Sequence, residues 1–334
     1  MAVTSLPVDL LSPFLKPLAT DKKSMYNCLL VSRLWCRTIV PYLWRNPFQL
    51  IIYDRQNRSK TQALLKTYFI CLENDKKSSL LQEFKLDALG TLSDLSSPTF
   101  QYQCYLENLP DSRLLSSIGS WFTKPEASAQ DRLAQSLCFK ALFEMFVRDA
   151  KNLKVLELWG IFWNLSIDNT AISEIIHAIQ IQQTKLKQLK ISFRNVLISN
   201  EKVIRSGKQM SGIVESQKKL ESIIIDQGGG KWMDICLNAL TAQTASLEEI
   251  TFKECSFARS FSLQSGYFEK FVNLRKVEFL DCEGLNDEFL TSLSGQVNIN
   301  MDTKTIVFMP NDDIKSYNVF DTFDVTRQKK ICKD

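Results

Sequence analysis

Leu153-Lys154-Val155-Leu156-Glu157-Leu158 sets three leucines at offsets of three and then two, and the same spacing returns four times along the chain. The further copies are Leu186/Leu189/Ile191, Leu220/Ile223/Ile225, Leu247/Ile250/Phe252 and Leu274/Val277/Phe279, with first positions 33, 34, 27 and 27 residues apart. A weaker copy, Thr303/Ile306/Phe308, follows 29 residues later. A period of this length marks one supersecondary unit repeated along the chain. In each copy the three apolar positions are expected to point inward from a short parallel strand. An amphipathic segment such as Thr170 to Gln180 or Leu285 to Leu293 then returns the chain. One copy cannot bury its own apolar face. Stacked copies can, at about 1.5–3 kcal/mol for each fully buried Leu or Ile. The expected fold class is α/β, with parallel strands and helices.

Cys255 and Cys282 extend the match in two copies, each three residues after the last apolar position. That is where leucine-rich repeats carry Asn or Cys, and residues 151–310 resemble leucine-rich repeats of the cysteine-containing kind found in F-box proteins. The resemblance implies an irregular solenoid in which both cysteines are small buried groups under a turn, a structural role rather than a reactive one. It also implies a concave face made of the residues between the buried positions. Three columns cross the copies: Val155, Gln188, Ser222, Glu249, Lys276; Glu157, Lys190, Ile224, Thr251, Glu278; and Trp159, Ser192, Asp226, Lys253, Leu280. Mixed charge with scattered apolar residues suits a protein ligand better than a polyanion. Trp159, Lys190, Asp226, Lys253 and Glu278 are the candidate target-binding residues. Trp159, with Phe162 and Trp163, is either an interface anchor or a filler of the wide first turn.

Toward the N-terminus, residues 48–150 read as a linker and an N-terminal capping or degenerate repeat region. Gln130 to Ala150 has the apolar spacing of a core helix, and Lys60 to Cys71 that of a second helix carrying Leu64, Leu65, Tyr68 and Phe69. Phe48 to Tyr53 reads as a strand, the polar stretch Glu73 to Pro98 as loop, and Phe100 to Leu109 as a strand and turn. Residues 311–334, with Arg327, Lys329, Lys330 and Lys333, read as a cap or tail.

Residues 1–47 have a different character. Ser24 to Val40 reads as one helix, capped by Ser24 and stopped by Pro41. Leu30, Leu34, Thr38, Val31, Trp35, Cys28 and Ile39 cover half its circumference, wider than the roughly 100° stripe of an ordinary surface helix. About forty residues cannot bury that much apolar surface among themselves, so either the rest of the chain or a partner covers it. Leu6-Pro7, the run Cys28-Leu29-Leu30-Val31-Ser32-Arg33-Leu34-Trp35 and the closing Leu43-Trp44 resemble an F-box, a three-helix module that docks on the Skp-type adaptor of cullin-RING ubiquitin ligases. The resemblance implies that Leu6, Pro7, Leu10, Leu11, Leu29, Leu30, Val31, Leu34, Trp35, Leu43 and Trp44 form or support the docking module, some of them holding the module's own core instead. Pro13 and Pro17 predict a first helix that is short or kinked near Ser12.

The composition narrows the function classes. A net charge of +4 from 41 basic and 37 acidic residues, mixed along the chain, gives no basic stripe for nucleic acid. Nine scattered cysteines without Cys-x-x-Cys predict neither a disulfide framework nor a zinc site, and fit reduced thiols of the cytosol or nucleus. No apolar run reaches the roughly 18 residues of a membrane span, and no leader pattern opens the chain. Gly228-Gly229-Gly230-Lys231 lacks the Ser or Thr of a phosphate-binding loop, since Trp232 follows, and reads as a strand-to-helix turn. His177 is the only histidine, so no nucleophile–base arrangement is apparent. No catalytic residue, cofactor or metal is expected. The expected function is the substrate-recognition subunit of a cullin-RING ligase, and the alternative is a ligase-independent interaction scaffold.

Overall fold

The computed structural model describes residues 15, 17–18, 21–50, 58–84, 98–120, 129–159, 169–193, 200–257, 266–285, 296–300 and 305–309. Their strands are β1 (Asn108–Pro110), β2 (Val155–Leu158), β3 (Gln188–Ser192), β4 (Ser222–Asp226), β5 (Glu249–Lys253), β6 (Lys276–Leu280), β7 (Gln296–Asn300) and β8 (Thr305–Met309). They form one sheet in the order β1-β2-β3-β4-β5-β6-β8-β7, parallel from β1 to β6. The helices are α1 (Lys22–Leu29), α2 (Arg33–Leu43), α3 (Arg58–Cys71), α4 (Asn74–Phe84), α5 (Asp111–Gly119), α6 (Ala129–Asp149), α7 (Asn169–Gln182), α8 (Asn200–Ser216) and α9 (Gly230–Leu240).

The repeated sequence pattern becomes exact register. Leu156, Leu189, Ile223, Ile250 and Val277 pair strand to strand in one row, and Leu158, Ile191, Ile225, Phe252 and Phe279 in the next. All are buried, as are the first positions Leu153, Leu186, Leu220, Leu247 and Leu274. They share one core with the buried faces of α6 to α9, which lie side by side. Phe252 and Phe279 stack at 5.3 Å, so the aromatic copies continue the rows.

Two polar ladders make the stacking specific. The carbonyl of the residue before each strand accepts two amides from the next unit. Lys154 N and Val155 N donate to Glu107 O at 2.8 and 3.0 Å, and the same pairing repeats on Lys154, Lys187, Glu221 and Glu248. The second ladder is made of buried glutamines. Gln183 Nε2 donates to Val147 O, Gln217 Nε2 to Gln183 O at 2.9 Å, and Gln243 Nε2 to Gln217 O at 2.8 Å. Each joins the end of one helix to the next, satisfying backbone groups that would otherwise be buried without partners.

A further copy precedes those visible in the sequence. Leu106 and Leu109 are buried and Leu109 pairs with Leu156, but the third position is Asp111, which broke the pattern. Asp111 is fully buried at the start of α5, and its Oδ1 accepts from Trp159 N at 2.7 Å. A carboxylate thus closes the corner that Leu, Ile or Phe fills elsewhere.

Several expectations are corrected. The weak copy at Thr303/Ile306/Phe308 is not a parallel unit. β8 runs antiparallel to β6 and pairs with β7 on its other edge. The four residues between β7 and β8 allow a hairpin but not a parallel crossover, which needs a dozen or more. Pro47–Leu50 is a 3-10 turn rather than the start of a strand, with Phe48 buried against Tyr68 and Phe146, and residues 51–53 lie outside the described residues. Of the loop expected over Glu73 to Pro98, Asn74–Phe84 is α4, held by Lys76–Glu144 at 3.0 Å and by buried Leu80. Of the strand expected over Phe100 to Leu109, Tyr102–Tyr105 is a 3-10 turn and only Asn108–Pro110 is strand. The segment Ser24 to Val40 is two helices, capped by Asp21 and Ser32, and α2 continues past Pro41 to Leu43.

Candidate functional site

Two surfaces correspond to the sequence candidates, one at the N-terminal helix pair and one on the sheet. In the helix pair, Asp21 caps α1, accepting from Ser24 N at 3.2 Å and Ser24 Oγ at 2.5 Å, and Ser32 Oγ accepts from Trp35 N at 3.3 Å to cap α2. These hydrogen bonds hold the Asp21 carboxyl below the usual carboxylate range. Between the caps, Leu30 N and Val31 N bond back to Asn27 O and Cys28 O, and the turn carries both side chains away from the core.

The candidate docking residues therefore divide. Leu30 is 87% and Val31 63% exposed, and Tyr26, which the sequence reading did not single out, joins them at 55%. Lys23, Arg33 and Arg37 are exposed on the same two helices. Leu29, Trp35 and Leu43 are half-buried against a small core of Leu15, Met25 and Ile39, and Leu34 is half-buried too. Trp44 faces the other way. Its ring lies 5.3 Å from Tyr68, edge-on, and 4.2 Å from Tyr102, within the core that continues into the sheet. Of the residues expected to form or support the docking module, Trp44 is thus the one that joins it to the sheet. Leu6, Pro7, Leu10 and Leu11, and the expected kink near Ser12, lie outside the described residues.

The join also runs through the backbone. Arg45 O accepts from Glu107 N at 2.9 Å and Asn108 N at 3.4 Å, which makes Arg45 the first rung of the carbonyl ladder. The edge of β1, which would otherwise invite another strand, is occupied there by the residue that follows Trp44. Side chains repeat the arrangement: Arg45–Glu107 at 3.2 Å, Lys154–Glu107 at 3.0 Å, Lys187–Glu221 at 2.8 Å and Arg275–Glu248 at 3.4 Å. Exposed pairs of this kind contribute about 0–1 kcal/mol each, so they tune register more than stability. Charges of mixed sign on the residue before each strand were the sequence signal for this row.

On the sheet, the expected columns are adjacent in register and alternate with the buried rows, except that Trp159 lies just past the end of β2. Glu157 accepts from Lys190 Nζ at 3.1 Å and Asn108 Nδ2 at 3.4 Å. Glu278 accepts from Thr251 Oγ1 at 3.3 Å and is 2.6 Å from Lys276 Nζ. Gln188 Nε2 donates to Ser222 Oγ at 3.3 Å. Half-buried Val155, Ile224 and Leu280 lie between these pairs. Lys253 is exposed, and Trp159 is 37% exposed. Asp226 is corrected from a surface contact: it is buried, with Oδ2 accepting from Ser192 Oγ at 2.7 Å, and Ser192 is buried with it. Phe162 and Trp163 lie outside the described residues.

His177 is exposed on α7, and the glycine stretch is the turn from β4 into α9, as expected. Among the described residues no group of three or more His, Cys, Asp or Glu could hold a metal ion, and no helix is long and apolar enough to cross a membrane. Compared with known proteins, the chain matches no family model, no curated protein and no solved structure.

Proposed function

We propose that the chain is the substrate-recognition subunit of a cullin-RING ubiquitin ligase. In this reading α1 and α2 belong to an F-box module that docks on a Skp-type adaptor, and through it on a cullin. The parallel units are an irregular leucine-rich-repeat solenoid whose polar face takes a target protein. The observation that carries the reading is the exposed apolar group Tyr26, Leu30 and Val31, set on a helix pair that Trp44 and Arg45 tie into the sheet. Three large apolar side chains in a ten-residue helix and turn, Lys22 to Val31, form the kind of patch that marks a protein interface.

The mechanism is positional. The sheet face holds the target and the helix pair holds the adaptor. The effective concentration of target lysines near charged ubiquitin rises because the two ends are joined by a packed core. No residue of the chain touches the reacting bond, and the chain alone has no enzymatic activity. A polar face whose charges are already paired favours a target that inserts apolar groups near Trp159, Ile224 and Leu280 over one read by charge alone. The reading places the protein in the cytoplasm or nucleus, where such ligases work.

Calorimetric titration with a Skp-type adaptor tests it. Wild-type chain should bind, and Leu30→Asp with Val31→Asp should weaken binding by at least the roughly 30-fold that one interface hot spot of about 2 kcal/mol represents. Circular dichroism of the double variant should match wild type. A folded wild-type chain that does not bind the adaptor would instead support a ligase-independent scaffold.

A further inference from the structure

Cys255 and Cys282 follow β5 and β6 at equivalent positions. Immediately before each, Glu254 and Asp281 turn the chain through left-handed backbone, both at φ 50°. Immediately after, Ser256 and Glu283 form a parallel bridge, and Glu283 N donates to Cys255 O at 2.9 Å. The cysteines are therefore neighbours across adjacent strands. Strands lie ~4.8 Å apart in this direction, within the Cα separation of ~4.4–6.8 Å that a disulfide spans. Cys255 is 1% exposed, whereas Cys282 is only partly buried.

We propose that Cys255 and Cys282 are a peroxide-sensitive thiol pair, with Cys282 as the attacking thiol and Cys255 as the resolving one. In the first step the Cys282 sulfur, as thiolate, attacks one oxygen of a hydroperoxide and the O–O bond breaks. The departing oxygen takes up the proton that Cys282 released and leaves as water or an alcohol, and Cys282 becomes a sulfenic acid. The Cys255 sulfur then attacks the Cys282 sulfur, the S–O bond breaks, and water leaves with the Cys255 proton as the disulfide forms. Two thiols are oxidised and one peroxide is reduced.

The surroundings assign the roles. The neighbouring thiol holds Cys282 below the ordinary thiol range, and that neighbour together with burial pushes Cys255 up. The less buried cysteine is thus the one a peroxide can reach, and the buried one needs to reach only its neighbour. Cys138 and Cys236 are buried and pushed up by burial alone, Cys138 to about 12.

Oxidation would alter the sheet. Reduced Cys255 Sγ donates to Ile225 O at 3.4 Å and Lys253 O at 3.3 Å, and Cys282 Sγ to Phe252 O at 3.4 Å and Leu280 O at 3.5 Å. A disulfide removes both S–H donors and ties the ends of β5 and β6 together, beside the face residues Lys253 and Leu280. The pair is read independently of any ligase partner.

Full-length protein treated with hydrogen peroxide, alkylated and digested for peptide mapping provides the test. We expect an intact mass lower by two hydrogens and a reductant-reversible Cys255–Cys282 crosslink. Cys255→Ser should instead accumulate a dimedone-reactive sulfenic acid on Cys282, and Cys282→Ser should give neither product. Absence of the crosslink in folded wild-type protein, or dimedone labelling of Cys255 in Cys282→Ser, would overturn the proposal. The wild-type map decides the matter even where a serine variant misfolds.

Discussion

Gly228 occupies in its unit the place of Cys255 and Cys282 in the next two, and the Trp232 ring has taken the space of its side chain. A Cβ there would lie 2.5 Å from that ring. Gly228→Ala should therefore cost about 1–3 kcal/mol as an overpacked core position, read as a lower midpoint in urea unfolding. Gln217 carries the opposite kind of constraint, hydrogen bonding instead of space. Its Nε2 donates to Gln183 O and its Oε1 accepts from Leu186 N at 3.1 Å. Truncation to Ala leaves both backbone groups buried without their partners, at about 1–3 kcal/mol for each unsatisfied group, and the same unfolding experiment should show a loss of about 2–4 kcal/mol. Asp21 gives a pH effect. Its pKa is lowered in the folded chain by the Ser24 hydrogen bonds, so the cap is fully effective above the unfolded value of about 4 and is lost as pH falls through the lower folded one. Amide exchange at Ser24 should quicken in that acid window, and Asp21→Asn should abolish the change. Single residues were legible where they repeat. Cys255 was read correctly as a small buried group under its turn, whereas Cys282, expected to be buried too, is only partly buried; Asp226 was placed on a surface because alternation says nothing of what covers a strand end.

At the scale of elements, periodic apolar spacing identified β2 to β6, α3 and α6, and failed where packing partners decide. The apolar stripe from Cys28 to Ile39 is unbroken in sequence, yet Ser32 as cap and the turn at Leu30 divide it. Ser32 and Asp21 were the available signals, as residue types that favour caps. α4 looked like loop because of its polar first turn, but ion pairs to α6 and buried Leu80 secure it, a case of tertiary context overriding weak propensity. β1 was not read as a further copy of the repeat because Asp111 stands where an apolar residue would complete its motif. The join between the helix pair and the sheet was likewise invisible, since Trp44 fits either a partner surface or a core. Its contacts with Tyr68 and Tyr102 predict that Trp44→Ala costs about 3 kcal/mol, the lower end for buried aromatic truncation because the side chain is half-buried. Amide exchange should accelerate in β1 and α2 together, because Arg45 would no longer be held against Glu107 and Asn108. Exchange unchanged in β1 would mean the two parts are not mechanically joined.

For the whole molecule, the repeat period alone implies the α/β class and the parallel order, because identical offsets leave a parallel row as the way to bury every copy. The closing hairpin was not legible, since the pattern of β8 is that of a parallel strand and only the short link to β7 reverses it. A continuous core from Phe48 to Phe279 means that truncation at residue 47 would remove Trp44 and Arg45 and disturb the sheet, so point variants are the sound way to separate docking from folding. The account's central claim is that the exposed patch on the helix pair, and not the sheet face, engages the adaptor. Hydrogen–deuterium exchange of the full chain with and without a Skp-type adaptor tests it most directly. Protection confined to residues 22–43, centred on Tyr26, Leu30 and Val31, with β2 to β6 unchanged, is the predicted result. Protection on the strands around Lys190 and Glu278, or none at all at saturating adaptor, would contradict it.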